Sequence, residues 1–148
     1  MSSTDEGSTP EPTAYDMPVE RGKIREFARA TGSAQPEYLD AAEPPIPPTF
    51  LRTATFWQPA NSVSPLAGAK LNLSRILHGE QEYVFFGPPP HAGQKLHVQP
   101  RLESITEKEG RRGGTMRVIT TVEDFTDDNG NLVAQSRSTL IETGKAPS

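Results

Sequence analysis

Apolar residues in the first half of the chain recur with helical spacing, most clearly in residues 47–57. Phe50, Leu51, Ala54 and Trp57 stand at positions i, i+1, i+4 and i+7, which places them on one face of a helix. The two prolines that open this segment suit a helix entrance, because a first-turn N–H has no intrahelical partner to lose. So short a helix is unstable alone in water, so we expect the rest of the chain to enclose it.

A short strand and an amphipathic helix precede this central segment. The strand is predicted over residues 15–19. In residues 20–31, Ile24, Phe27 and Ala28 share one helical face. Gly32 follows as a natural C-cap, because glycine adopts the left-handed conformation without penalty. Between Gly32 and the central helix the pattern predicts only one further turn, within residues 36–42.

The second half of the chain alternates between apolar and polar residues, which is typical of strands. Leu96, Val98 and Leu102 share one predicted strand face, and Pro100 within that run indicates an edge or a bulge. Asn129 and Gly130 predict a tight hairpin turn, since this pair readily supplies the positive φ angles that such a turn needs. With strands beginning near residues 78, 95, 116 and 132, we expect about four long antiparallel strands.

Length and composition indicate one small domain with polar ends. The chain has 148 residues, of which 33% are hydrophobic and 15 are prolines, so we expect a modest core with long irregular stretches. Residues 1–13 are predicted to be a disordered acidic tail, residues 14–144 a single domain, and residues 145–148 a short tail.

Charge and cysteine content exclude several classes of function. A net charge of −4, without a basic stripe, argues against a nucleic-acid partner. Because the chain has no cysteine, it has no disulfide, thiolate zinc site or cysteine nucleophile. No apolar run is long enough to span a bilayer, and the first residues lack the pattern of a secretory signal. We therefore expect a cytoplasmic protein.

Four parts of the chain follow a pattern known from other proteins: residues 24–32, residues 48–51, residues 77–83 with 90–96, and residues 128–130 with 138–140. Together they resemble the MaoC-like hydratase and dehydratase family, in particular its N-terminal-type domain. The resemblance implies an α+β hot-dog fold, in which an antiparallel curved sheet wraps around a central helix.

Catalytic members of that family carry Gly-Asp-x-Asn-Pro-x-His directly after the first helix, where the Asp and His handle the water and the α-proton. This chain keeps Gly32 and Pro36 of that motif. Ser33, Gln35 and Tyr38 stand at the Asp, Asn and His positions. A serine without a partner base, and a tyrosine with a pKa of about 10, cannot do the same acid–base work near neutral pH. The motif is therefore predicted to be catalytically empty.

The resemblance implies a role for a domain of this kind. It would be the non-catalytic, acyl-channel-forming subunit of a heteromeric (R)-specific 3-hydroxyacyl-thioester dehydratase or enoyl-CoA hydratase. Its partner would be a second MaoC-like hot-dog subunit that carries the complete motif. The substrate would be an acyl-CoA or acyl-carrier thioester, with no metal or other cofactor. The lost side chains leave room for long or bulky acyl groups, such as fatty chains or steroid side chains.

Four residues are candidates for contact with the substrate. His78 precedes the strand that lines the groove in this fold, so it could meet the thioester, although a structural histidine explains it too. Glu80 and Gln81 could face a cleft or simply form a strand edge. Phe50 is a candidate for the channel wall and for the core. The three histidines are too dispersed in sequence to suggest a metal site.

Two other functions fit the same fold. A stand-alone enzyme, such as a thioesterase or a homodimeric hydratase, would need Glu37, Asp40 or Glu80 as its base. Hot-dog thioesterases typically place a carboxylate on or just before the central helix, and residues 45–57 contain none. The other possibility is a non-enzymatic binder of acyl thioesters.

Overall fold

A five-stranded antiparallel sheet organises the chain in a computed structural model that describes residues 9–111 and 114–144. The strand order across the sheet is β1-β3-β4-β5-β2. In chain order the elements are β1 (Tyr15–Pro18), α1 (Arg21–Ala30), α2 (Pro36–Leu39), the 3₁₀ helices η1 (Phe50–Phe56) and η2 (Leu73–Arg75), β2 (Ile76–Phe85), β3 (Lys95–Glu109), β4 (Thr115–Thr126) and β5 (Leu132–Glu142).

The central helix has the predicted buried face but a different hydrogen-bond pattern. Phe50, Leu51 and Ala54 are fully buried, and Trp57 packs against the same core from a partly exposed position. The segment is a 3₁₀ helix and not the α-helix that the spacing indicated: the Phe50 N–H donates to the Pro47 carbonyl oxygen three residues earlier, at 3.0 Å. The tighter winding suits a short segment with β-branched threonines and two leading prolines.

The 3₁₀ winding adds a buried residue that the α-helical spacing missed. Residues three apart are eclipsed in a 3₁₀ helix, so Thr53 lies on the same face as Phe50 and is buried with it. The Thr53 hydroxyl donates to the Phe50 carbonyl oxygen at 2.8 Å, which satisfies its hydrogen-bonding capacity inside the core.

The amphipathic helix α1 covers one side of η1 with the apolar face that its spacing predicted. Ile24 and Ala28 are fully buried. The Phe27 ring meets Phe50 edge to face, with the ring centroids 5.5 Å apart. Gly32 has φ +76°, the left-handed conformation expected of a residue that ends a helix.

The strand β3 begins in the core and then leaves it. Leu96 and Val98 are buried as the alternation predicted, but Leu102 is 39% exposed. β1 pairs only with Lys95–Val98, and a bulge follows between Leu102 and Ser104, so the later part of β3 has no strand on its outer side among the described residues. Residues 9–12 and the loop at 64–69 approach this uncovered part instead.

Of the predicted tails, the structure describes only residues 9–13. Thr13 lies against the loop after η1: its N–H donates to the Val63 carbonyl oxygen at 3.1 Å, and its hydroxyl accepts from the Val63 N–H at 2.8 Å. Residues 1–8 and 145–148 lie outside the described residues. The division into one domain and two tails stays a prediction.

Replacing Leu51 by alanine should cost about 2–5 kcal/mol of unfolding free energy, because the cavity would open in the centre of the core. Thr55, on the exposed side of the same helix, is the matched control; Thr55→Ala should change stability by less than about 0.5 kcal/mol. Urea unfolding followed by circular dichroism measures both variants, and equal losses would contradict the burial of η1.

Candidate functional site

The connection between α1 and α2 keeps the frame of the catalytic motif. Gly32 ends α1, and Pro36 stands in the first turn of α2, where its missing N–H costs no hydrogen bond. The Ser33 N–H donates to the Ala28 carbonyl oxygen at 2.8 Å, and Gln35 is the N-cap residue of α2. The positions of the Asp, Asn and His in that motif therefore lie in one short, well-defined segment.

Two arginines of α1 hold α2 in place. The Arg25 Nε donates to the Leu39 carbonyl oxygen, and the Arg21 Nε donates to the Ala41 carbonyl oxygen, each at 2.9 Å. These bonds cap carbonyls at the end of a helix that is too short to be stable by itself. Tyr38 packs its ring against the hydrophobic core from this position.

The three motif positions carry no group that exchanges protons near neutral pH. Burial, followed by the negative charge of Glu37 and a hydrogen bond to it, raises the pKa of Tyr38 above its ordinary value of 10.0. Tyr38 therefore stays protonated. The Ser33 hydroxyl accepts a long 3.5 Å bond from the Gln35 N–H and has no neighbouring base. Glu37 and Asp40, the candidate substitute bases, are both exposed on the surface of this segment.

The β2 candidates lie together at the edge of the sheet. His78, Glu80 and Gln81 are all exposed. The Gln81 side chain donates to the Ser136 hydroxyl at 3.0 Å and to the Arg137 carbonyl oxygen at 3.1 Å. Within the described residues, the side chains of His78 and Glu80 have neither a hydrogen bond nor an ion pair. No hydrogen bond or ion pair joins this group to Ser33, Gln35 or Tyr38 in the same part of the chain.

The fourth substrate candidate, Phe50, lies in the core. It is fully buried between α1 and the sheet, where it meets Phe27. Tyr38 belongs to the periphery of the same hydrophobic cluster, so the core connects the motif segment to the central helix.

A row of hydrogen-bonded polar side chains lies on the helix side of the sheet and was not among the predicted site residues. The Tyr15 hydroxyl donates to Glu123 Oε1 at 3.2 Å, and the Ser136 hydroxyl also hydrogen-bonds to Glu123. Because Gln81 donates to Ser136, the row continues to the edge strand β2. Burial raises the pKa of Glu123 above its ordinary value of 4.5, and the hydrogen bonds and the nearby Arg52 charge offset only part of this effect. Burial likewise raises the pKa of Tyr15.

One signal in the sequence marks this row. Ile119 and Phe125 alternate with Glu123 in the odd-numbered set of β4, and both are fully buried. A carboxylate that shares a strand face with two large apolar residues is predicted to be buried and hydrogen bonded.

Two grooves open beside these elements. A groove of about 380 Å³ lies between α1 and η1, next to Phe56, whose ring is largely exposed. A larger groove, of about 590 Å³, lies beside the uncovered part of β3, between residues 9–12 and the loop at 64–69. Its walls include Leu102, Ile105 and four prolines, Pro10, Pro12, Pro65 and Pro100. Proline lacks an N–H donor, so these parts of the wall suit an apolar guest, while Glu11, Gln99 and Arg101 line the groove with polar groups.

Two further observations concern metal binding and membrane spanning in the described part of the chain. It contains no cluster of three or more histidine, aspartate or glutamate side chains that could hold a metal ion. None of its helices is long and apolar enough to cross a membrane.

Solved structures of low sequence identity share this fold. The structure superimposes on a chain of the HadBC (3R-hydroxyacyl-ACP dehydratase) complex from Mycobacterium tuberculosis with a TM-score of 0.65 and 24% identity, covering 88% of this chain and 96% of that one. A chain of the ChsH1–ChsH2 complex from the same organism gives 0.68 at 16% identity, covering 93% and 85%. A MaoC-like dehydratase gives 0.70 at 24% identity, covering 93% and 42%. The chain therefore has the hot-dog fold of MaoC-like dehydratases.

A family model and relatives found by sequence similarity show the family to which the chain belongs. The model of the FAS1-like dehydratase domain region matches residues 9–136. The UPF0336 protein Franean1_6066 of Parafrankia sp. (strain EAN1pec) is 35% identical over 145 residues, covering 89% of this chain and 89% of that protein. A UPF0336 protein of Streptomyces griseus subsp. griseus is 33% identical over 145 residues, covering 91% and 90%. The chain therefore belongs to the UPF0336 family and to the FAS1-like dehydratase domain region family.

Glu123→Gln should change how stability depends on pH. Because the folded-state pKa of Glu123 is raised, the folded chain binds more protons than the unfolded chain above pH 4.5. The contribution of Glu123 is therefore greatest at low pH and is lost as pH rises through the folded-state pKa. The variant cannot ionise, so it should gain stability relative to the wild type as pH rises above 4.5. Urea unfolding at a series of pH values above 4.5 measures the difference. Glu107→Gln, at an exposed position of β3, is the control: its stability relative to the wild type should stay the same at every pH. A stability difference for Glu123→Gln that does not change with pH would contradict the burial of the Glu123 carboxylate.

Proposed function

We propose that this chain is the non-catalytic, acyl-channel-forming subunit of a heteromeric (R)-specific 3-hydroxyacyl-thioester dehydratase or enoyl-CoA hydratase. The observation that carries the proposal is the segment between α1 and α2. Gly32 and Pro36 keep its backbone frame, while Ser33 and Tyr38 occupy the positions of the Asp and His. In this proposal the segment keeps the backbone that carries the catalytic pair in other members, but it lacks the acid and base side chains.

The chemistry explains why a second subunit is needed. Hydration adds a water oxygen to the β-carbon of a trans-2-enoyl thioester and a proton to its α-carbon, and dehydration reverses both steps. Each direction requires a base and an acid within hydrogen-bond reach of the reacting atoms. A protonated tyrosine and an unactivated serine cannot supply that pair. We propose that a second MaoC-like hot-dog subunit, carrying Gly-Asp-x-Asn-Pro-x-His, brings it.

The free edge of β2 is our candidate docking surface for that subunit. β2 is the last strand of the sheet, so its outer N–H and C=O groups have no strand partner among the described residues. Two of the solved structures with this fold, the HadBC and ChsH1–ChsH2 complexes, are assemblies of different chains. This supports a heteromeric assembly here and leaves the identity of the partner open to experiment.

The groove beside β3 is our candidate for the acyl channel. It combines a volume of about 590 Å³ with the exposed apolar side chains of Leu102 and Ile105. Fatty chains or steroid side chains would fit such a surface, because they need apolar walls and no hydrogen-bond partners. The thioester end, on CoA or an acyl carrier, would lie towards His78 and Gln81, while Phe50 would support the channel from the core.

The proposed reaction needs no metal or other cofactor, because acid and base groups suffice for the addition of water. The acyl thioester is its substrate. We further propose a cytoplasmic location, on the sequence grounds given above.

Co-expression with a candidate subunit that carries the complete motif tests the proposal. Each chain is assayed alone and in the mixture for hydration of trans-2-enoyl-CoA. We expect activity that depends on the mixture, with this chain inactive alone. Full turnover by this chain alone would mean that it carries its own catalytic pair. Binding of an acyl thioester without turnover in any mixture would favour a binding protein.

Tyr38→Phe should leave the turnover of the active mixture within about threefold, because the ring still packs against the core and its hydroxyl takes no part in proton transfer. Replacing the Asp of the partner's motif should lower turnover by at least about a hundredfold. A steady-state assay at saturating substrate compares the two. A large loss for Tyr38→Phe, with normal assembly, would assign Tyr38 a catalytic role.

Leu102→Trp should narrow the proposed acyl channel. We expect kcat/KM for a long-chain enoyl-CoA to fall about tenfold relative to a four-carbon substrate, because only the longer chain must pass the new ring. Leu132→Trp is the matched control, since Leu102 and Leu132 are each 39% exposed but Leu132 lies outside the groove. The same ratio in both variants would exclude this groove as the channel.

A further inference from the structure

The outer edge of β2 has an unusual distribution of side chains. Ile76–Phe85 is ten residues long. Glu80 and Glu82 lie at its centre, and the strand contains no lysine or arginine. Exposed apolar side chains stand at its ends: Leu77 is 44% exposed, and Phe86, the residue after the strand, is 54% exposed. The edge is therefore acidic in the middle and apolar at both ends.

The two carboxylates differ in their partners. Glu82 forms an ion pair with Arg137 of the neighbouring strand, with 3.4 Å between its Oε2 and the arginine Nε. The Glu80 side chain has no hydrogen bond or ion pair with any described residue. The register places Glu80 opposite Thr139 and Glu82 opposite Arg137, so both carboxylates lie on the same face of the sheet. The Glu80 carboxylate is therefore an exposed negative charge with no ion-pair partner in the described part of this chain.

Self-pairing through this edge would bring like charges together. In an antiparallel pair centred on Gln81, Glu80 of each copy stands opposite Glu82 of the other, with about 4.5–5.5 Å between the Cβ atoms. A pair centred on Glu80 or on Glu82 places that residue against its own copy. Like charges directly opposite each other destabilise a strand pair, so each of these registers carries a penalty.

We propose that the β2 edge selects a partner strand that carries lysine or arginine opposite Glu80 and rejects a second copy of this chain. The apolar ends and the free backbone groups provide affinity for any strand of suitable length, while the central carboxylates decide which strand pairs. This inference rests on the proposed function for the identity of the partner, but its charge requirement can be measured on this chain alone.

The first measurement is the self-association of this chain by sedimentation velocity in low salt. Glu80→Lys places an ammonium opposite Glu82 of the second copy, twice per dimer, and should tighten self-association about tenfold. Glu80→Gln removes the repulsion only and should give a smaller gain. High salt should reduce both gains, because these charges are exposed. Glu43→Lys, at an exposed position outside the sheet, makes the same change in net charge and should have no effect.

The second measurement is the affinity for the subunit that carries the complete motif, by surface plasmon resonance. Glu80→Lys should weaken binding about tenfold, and reversing the opposing basic residue of that subunit should restore it. Equal behaviour of Glu80→Lys and Glu43→Lys in both measurements would overturn the proposal, as would a stable wild-type homodimer that Glu80→Lys does not affect.

These results are separable from those of the activity assay. Charge-dependent binding without hydratase activity in the mixture would refute the proposed function and leave the selection by Glu80 intact. Full activity of the mixture with unchanged affinity for Glu80→Lys would support the function and refute the selection.

Discussion

The burial of one short 3₁₀ helix determines how the rest of this chain is arranged. Phe50, Leu51 and Ala54 carry much of the apolar surface of η1, and so short a helix has no stability of its own. Four long strands and one short strand supply the apolar surface that encloses one side of it, and α1 covers another through Phe27. Because burial removes apolar area from water, the sheet and helices are stable only together.

The backbone of the segment between α1 and α2 depends on two of its residues. Gly32 adopts the left-handed conformation that ends α1, and Pro36 opens α2, so both are needed for the local structure. The Ser33 and Gln35 side chains carry no comparable constraint: Ser33 is half-buried, Gln35 is exposed, and the bond from the Gln35 N–H to the Ser33 hydroxyl is long. Tyr38 packs against the edge of the core. The backbone of this segment therefore does not depend on the side chains at positions 33 and 35.

The polar side chains of the sheet form two separate groups, one next to the central helix and one at the open edge. Tyr15, Glu123 and Ser136 form a hydrogen-bonded row next to the central helix, where each buried polar group finds a partner. Glu80 and Glu82 lie at the open edge, where charge costs little and can discriminate between partners.

The element order, the buried face of the central helix and the hairpin at Asn129 and Gly130 could be predicted from the sequence, because each follows from local spacing or residue type. The 3₁₀ winding of η1, the exposure of Leu102 and the hydrogen bond between Tyr15 and Glu123 became visible only in the folded chain. The last two depend on contacts between residues distant in sequence. Alternation along β4 groups Glu123 with Ile119 and Phe125, but it does not say that Tyr15 lies within reach or where β1 stops pairing with β3, because both are set by how the strands pair and curve around the core.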